Sequence, residues 1–353
     1  MFKLKTKIFF GKNCIKNIEK IGGEKVVIFS SNSMIKYGFT NEVINAIKMP
    51  YFLIKNIKPE PEERYIEKYV KILNKEEPDI IIAIGGGSVI DTAKASLYHY
   101  KKAKLITIPS TSGSGSEVTA ASVLKRNGLK YSIVADYITP LYAFLDPRLP
   151  EKMPSWLVAY TGMDALSHAM EAYVSKFASP FSDIFAINAI KIIFSNLYFS
   201  FKGNVISREA MHYASCMAGI AILNARVGIC HSMAHKLGVF NLPHGLSIAL
   251  ILDYIIQFNM KDEIARRKYD EIAKELNLRN ANELVKKIKE LKEKIGIRSM
   301  KYYVKEEDFK EKIEIISREA ANDALLKFNP VEADEKEIKE IYEKAYYGTK
   351  IRN

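Results

Sequence analysis

The chain has 353 residues, 48% hydrophobic and 27% charged, with a formal net charge of +12. This composition excludes disordered, collagen-like and coiled-coil chains, and the length exceeds what a single core normally serves, so two domains are expected. The basic excess would suit a nucleic-acid surface, but the lysines are spread along the chain and interleaved with glutamate, above all after residue 260, so no nucleic-acid partner is expected.

The N-terminus, MFKLKTKIFFGKN, alternates charged and apolar residues and has no apolar run followed by a small-residue cleavage site, unlike a secretory signal. No uninterrupted apolar stretch of membrane-spanning length follows, so the expectation is a cytoplasmic protein with no membrane association. Cys14, Cys216 and Cys230 form no CxxC pair, which argues against a disulfide framework or a zinc finger.

Lys25–Ser30 reads as a buried strand, Glu42–Lys48 as part of a short amphipathic helix and Glu62–Asn74 as a longer one. Asp79–Ile84 is a second buried strand, Asp91–Tyr100 a helix, Lys104–Ile108 a third strand and Ala143–Asp146 a fourth. Continuous apolar strands alternating with helices predict an α/β domain with a mainly parallel, Rossmann-like sheet over residues 1–153. After the proline-interrupted hinge at Leu149–Pro154, Ser155–Ser175, Pro180–Phe199, Arg208–Leu223 and Leu246–Asn259 all fit a helical period. Beyond Lys261 the pattern is that of solvated amphipathic helices. Residues 154–353 are therefore expected to form an all-α domain.

Two segments of the first domain follow strands and are rich in small residues. Gly85-Gly86-Gly87-Ser88-Val89-Ile90-Asp91 opens a helix, where close backbone approach and free N–H groups suit a diphosphate. Ser88 and Asp91 have capping-box spacing. Alone, the segment reads equally well as a tight turn, since it is neither G-x-G-x-x-G nor a Walker A sequence. The second, Pro109–Thr119 (PSTSGSGSEVT), carries hydroxyls and backbone donors that would line a nucleotide crevice at the carboxyl end of the sheet.

Of six histidines, three crowd into Cys230–His244. Asp164 and His168 stand four residues apart in a helical stretch, as do His231 and His235, so each pair shares a face. Leu242-Pro243-His244-Gly245 reads as a turn able to return His244 toward them. A carboxylate with neutral imidazoles suits Fe²⁺ or Zn²⁺. The HExxH glutamate of zinc proteases is absent, and His99 and His212 have no companions. Beside the nucleotide segments, the pattern points to a cleft between two domains, with a metal on the helical side.

With GGGSVIDTAK (Gly85–Lys94), PSTSGSGSEVT (Pro109–Thr119), LDP (Leu145–Pro147), TGMDALSHAMEAYVS (Thr161–Ser175) and HSMAHKLGVFNLPHG (His231–Gly245), the chain resembles the iron-containing (group III) alcohol dehydrogenases of the dehydroquinate synthase-like fold. The resemblance implies metal ligation by Asp164, His168, His231 and His244, with His235 beside them near the substrate, where it would relay a proton. It implies diphosphate binding at Gly86, Gly87 and Ser88, with Asp91 in the same segment. Nucleotide contacts at Ser110, Thr111 and Thr119 follow from it too, as does Lys130 near the nicotinamide ribose. The implied activity is metal-dependent hydride transfer between nicotinamide C4 and a small primary alcohol or aldehyde, such as butanol and butanal. Glycerol or hydroxy-acid oxidation, or a metal-dependent lyase reaction on the same scaffold, are the alternatives. A homo-oligomer, a dimer or higher, is implied as well.

Where NAD-preferring members carry an acidic residue after the second strand, this chain has Ser30-Ser31-Asn32-Ser33 with Lys36 nearby. A 2′-phosphate would meet no repulsion at Ser31, so NADP(H) is expected over NAD(H). Glu60 stands where the family has a neutral polar residue, and Asp253 where it usually has proline.

Overall fold

The computed structural model describes residues 1–58, 61–126 and 129–348. Pro59 and Glu60, and with them the question of a cofactor role for Glu60, lie outside the described residues. The chain divides into two compact units, Lys3–Met153 with Met1, and Pro154–Asn353 with Phe2.

The first unit runs β1 (Lys7–Phe10), β2 (Val26–Ser30), α1 (Asn32–Lys36), α2 (Phe39–Ala46), β3 (Tyr51–Ile54), α3 (Glu63–Glu76), β4 (Ile80–Gly85), α4 (Gly87–Tyr100), β5 (Lys104–Pro109), β6 (Ala121–Arg126), β7 (Leu129–Val134) and β8 (Tyr142–Leu145). Six strands form a parallel sheet in the order β1-β8-β5-β4-β2-β3. Both of its faces are buried, as continuous Val/Ile runs require. Val27, Phe29, Ile81, Ala83 and Leu105 pack with α3 and α4, while Val26, Ile28, Ile80, Ile82, Ile106 and Ile108 pack with Ile15, Ile18, Met34 and Val43. Each buried Val, Leu, Ile, Phe or Met side chain among them contributes about 1.5–3 kcal/mol. β3 lies on one side of β2 and β4 on the other, so the connections change direction there. In open α/β sheets that is where ligands bind, outside the strands' carboxyl ends. β6 and β7 form a separate antiparallel hairpin.

The second unit is helical among the described residues: α5 (Ser155–Val174), α6 (Pro180–Phe201), α7 (Val205–Ala225), α8 (Ile229–Lys236), α9 (His244–Asn259), α10 (Glu263–Glu275), α11 (Ala281–Lys294), α12 (Glu306–Ala321) and α13 (Glu335–Tyr347). The parallel-sheet and all-helical architecture expected from the sequence is what the chain adopts. α6 is long and apolar enough, by length and composition, to cross a membrane. A search for an uninterrupted apolar run overlooks it because Asp183, Asn188 and Lys191 punctuate the helix. It packs against α5 and α7 and leaves Phe181, Ile184 and Phe199 exposed. Asp253, at the position usually held by proline, is buried on α9 and paired with Lys292 of α11 at 2.6 Å.

Candidate metal and nucleotide sites

The metal candidates converge within the helical unit. α5 carries Asp164 and His168 one turn apart, α8 carries His231 and His235 one turn apart, and His244 is the first residue of α9. Asn241 adopts a left-handed conformation (φ 57°) after α8, and Pro243 then starts α9. Gly245 permits the approach: a Cβ there would lie 2.2 Å from the Tyr160 carbonyl oxygen of α5, so a glycine lets the two backbones touch and bring His244 to Asp164.

The distances focus on one atom. Asp164 Oδ1 lies 3.5 Å from His244 Nε2, 3.6 Å from His231 Nε2 and 3.9 Å from His168 Nε2. Ligand atoms of Asp164, His168 and His231 all lie within 4.8 Å of one another. His235 borders the group, its ring 5.2 Å from that of His244 and 6.2 Å from that of His231.

Asp164 Oδ1 and His231 Nε2 are buried and have no hydrogen-bond partner among the described residues. Buried polar atoms are normally paired, and two orphans facing each other among imidazoles fit a cation. The electrostatics agree. Burial opposes ionisation of Asp164, yet His168, His244 and His231 hold its carboxyl well below the usual range. Burial would lower the His231 imidazole, but Glu171 and Asp164 raise it to about 9. The pocket thus calls for positive charge between two carboxylates, and one carboxylate with three imidazoles is a borderline-metal donor set. The residues present fit a divalent ion.

Glu171 is the functional residue that sequence reasoning missed. It lies three residues beyond His168 on α5, so Asp164, His168 and Glu171 form one stripe. Its Oε2 pairs with His231 Nδ1. Its Oε1 accepts from Gly228 N (2.9 Å) and Cys230 N (2.8 Å), the first turn of α8. The carboxylate therefore caps α8 and holds His231 with Nδ1 protonated and Nε2 turned to the metal position.

In the first unit, β4 ends at Gly85 and α4 begins with Gly86 as its N-cap, with no side-chain cap. The capping box expected from Ser88 and Asp91 does not form, because the helix starts earlier and Asp91 turns toward the second segment. There it accepts from Ser116 Oγ (2.7 Å) and Val123 N (3.3 Å). The uncapped helix start keeps the geometry of an anion cradle. The two segments pack together: a Cβ on Gly86 would meet Thr111 at 3.1 Å and one on Gly87 would meet Ser114 at 3.0 Å. Ser110 N donates to Gly85 O (2.9 Å). Ser31 N donates to Ile84 O (3.1 Å), its hydroxyl caps α1, and its Cβ lies 3.2 Å from a Cβ built on Gly85. Thr119 and Lys130 are buried, Lys130 on β7, where with Lys94 it offsets the rise that burial imposes on the Asp91 carboxyl. Ser31, Gly86, Gly87, Ser110 and Thr111 thus gather at the carboxyl ends of β2, β4 and β5.

A parallel sheet with an uncapped glycine turn, and a buried Asp–His cluster able to hold a divalent ion, define an α/β protein with candidate anion- and metal-binding sites. The comparisons with known proteins narrow this to a family. Residues 5–147 match the iron-containing alcohol dehydrogenase family, and residues 158–346 match the C-terminal part of the Fe-containing alcohol dehydrogenase family. An alcohol dehydrogenase of Thermococcus barophilus is 42% identical over 98% of this chain and 99% of its own. An NADPH-dependent butanol dehydrogenase of Clostridium saccharobutylicum is 40% identical over 99% of each. The iron-containing alcohol dehydrogenase of Thermococcus thioreducens superposes with a TM-score of 0.96 at 43% identity, over 99% of this chain and 100% of that one. The chain belongs to the iron-containing alcohol dehydrogenase family and is an NAD(P)-linked, metal-dependent enzyme acting on a small-molecule alcohol.

Proposed function

We propose that the enzyme interconverts a short primary alcohol and its aldehyde, of the size of butanol and butanal, with NADP(H) preferred over NAD(H) and Fe²⁺ or Zn²⁺ at the Asp–His cluster. The observation that carries the metal reading is the pair of buried, unpartnered atoms Asp164 Oδ1 and His231 Nε2. Asp164, His168, His231 and His244 would hold the ion, and Glu171 sets the His231 tautomer. A bound divalent ion supplies a Lewis acid that lowers the alcohol's pKa, and the nicotinamide supplies the hydride acceptor. His235, buried at the edge of the cluster, takes the alcohol proton away and returns it in the reverse direction. Gly86, Gly87 and Ser88 cradle the diphosphate. Ser110, Thr111, Thr119 and Lys130 contact the rest of the dinucleotide, and Asp91 supports that segment from behind.

The NADP(H) preference is supported by the neutral run at Ser31, Asn32 and Ser33, where a 2′-phosphate meets no carboxylate. The butanol dehydrogenase relative points the same way. We also propose a homo-oligomer without membrane association, in the cytoplasm. The exposed Phe181, Ile184 and Phe199 of α6 offer apolar surface for a second copy, and light scattering coupled to size exclusion tests the assembly. The activity test is oxidation of NADPH and of NADH with butanal, anaerobically, after adding Fe²⁺ or Zn²⁺ to chelator-treated protein. Metal-restored oxidation with a higher kcat/KM for NADPH is expected. Equal kcat/KM for the two cofactors would overturn the Ser31 argument, and inactivity across aldehydes despite stoichiometric metal would overturn the substrate assignment.

A further inference from the structure

Lys94, on α4 behind the glycine turn, is fully buried. Its Nζ donates to Thr119 O (2.7 Å), Ala121 O (2.9 Å), Ser116 Oγ (3.1 Å) and Thr119 Oγ1 (3.2 Å). An ammonium has three protons and no acceptor, so these four oxygens share three protons, and towards Lys94 each of them, the Thr119 hydroxyl oxygen included, can act only as acceptor. Ser116 Oγ then donates to Asp91 Oδ1, and both of its roles are filled within the protein. Thr119 differs. Its hydroxyl oxygen is occupied by Lys94, so its proton has to be offered elsewhere, and Thr119 retains slight exposure, at 8%.

A buried cation is an expensive way to pin a loop. An apolar side chain of similar volume often serves stability as well or better. Burial pushes the Lys94 amine down to about 8, against the raising effect of Asp91 and Glu117. A charge kept at such a position, directly beneath a segment read as nucleotide-binding, points to a role in binding.

We propose that Lys94 is a positioning residue for the dinucleotide, fixing Ser116–Ala121 and committing the Thr119 hydroxyl to donate to an acceptor oxygen of the bound cofactor. This rests on the reading of the two segments as the nucleotide site. The charged groups facing Lys94 and Asp91 are Glu117 of the same segment and Lys130 of β7. With its amine pushed down to about 8 by burial, Lys94 loses its charge as pH rises through that value.

The test is NADPH binding without substrate, followed by fluorescence, beside the melting temperature of each variant. Lys94→Met and Thr119→Val should each raise Kd about tenfold or more, the loss of a charge-assisted hydrogen bond. Together they should raise it little beyond the larger single effect, since the two act through one contact. Lys94→Arg should retain most of the affinity. Because Lys94→Met removes the main cation that offsets the burial of the Asp91 carboxyl, Lys94→Met/Asp91→Asn is measured as well, and it should melt near wild type yet bind as weakly as Lys94→Met. The wild-type Kd should rise from pH 7 to 9, and in Lys94→Arg it should not. A folded Lys94→Met/Asp91→Asn that binds NADPH like wild type, or a wild-type Kd flat across that range, would overturn the proposal while leaving the nucleotide reading intact. Wild-type protein that binds neither NADPH nor NADH would overturn both.

Discussion

At the scale of single residues, helical spacing and the crowding of histidines made Asp164, His168, His231 and His244 legible as candidate ligands, and contacts between helices hid Glu171. Asp164 and His168 are recognisable as a pair because four residues place them on one helical face. Glu171 continues the same stripe, but its work is done through an imidazole and two N–H groups of α8, a helix 57 residues away at its nearest bonded atom. Nothing in the local pattern around Glu171 announces that partner. Its importance is testable. Glu171→Gln keeps an oxygen able to accept from Gly228 and Cys230, so the fold should survive, while the charge that holds Nδ1 of His231 protonated is lost. Removing such a partner of a metal-bound histidine typically lowers metal affinity about 10- to 100-fold. Competition against a chromogenic chelator measures it, and unchanged affinity would show that His231 is oriented by packing alone. Asp91 gives the opposite case: local spacing suggested a helix cap, and the residue serves the neighbouring segment through Ser116 and Val123.

At the scale of elements, the strands that could be read were those buried on both faces. β2 (VVIFS), β4 (IIIAIG) and β5 (KLITIP), with the shorter β8 (YAFL), are predominantly apolar, as strands covered on both faces require. β1 (KIFF) and β3 (YFLI) are four-residue edge strands, partly exposed, whose apolar runs are too short to stand out as strands. β6 (ASVLKR) and β7 (LKYSIV) mix apolar with polar and charged residues, and the dipeptide Asn127-Gly128 that separates them in the sequence was the available signal.

Helix packing makes two predictions of different severity. Gly245→Ala places a Cβ 2.2 Å from the backbone oxygen of Tyr160, so α9 must move off α5. It should cost about 1–3 kcal/mol or more and weaken metal binding through His244. Gly162→Ala meets the Leu197 Cδ1 methyl at the same nominal distance, but a side-chain tip can rotate away, so the loss should be smaller and the metal retained. Urea unfolding with a metal assay decides, and equal losses would show that the Tyr160 contact does not set the α5–α9 spacing. The Asp253–Lys292 pair is a third case. Lys292→Met leaves the buried Asp253 carboxylate only the longer contact to Lys289 (3.8 Å) and should cost up to about 3–5 kcal/mol, whereas Asp253→Leu/Lys292→Met should be near neutral. A double variant no more stable than the single would mean the ion pair itself stabilises the helical unit.

At the scale of the whole molecule, the two chemistries are carried by different units: the proposed metal ligands all lie after Pro154 and the nucleotide segments all lie before it. A ligand that binds only the folded form stabilises it by RT ln(1 + [L]/Kd), about 2.7 kcal/mol at one hundred times Kd. That stabilisation is felt most by the segments whose opening destroys the site. Removing the metal should therefore speed amide exchange in α5, α8 and the first turns of α9, and leave the β4–α4 turn and the segment after β5 unchanged. Saturating NADP(H) should do the reverse, protecting Gly86–Ser88 and Pro109–Thr119. Hydrogen exchange read by mass spectrometry on the same sample, with chelator and with cofactor, resolves the two effects. Metal removal that deprotects the glycine turn as strongly as α8 would show that the units open together, so that neither site could be emptied without loosening the other.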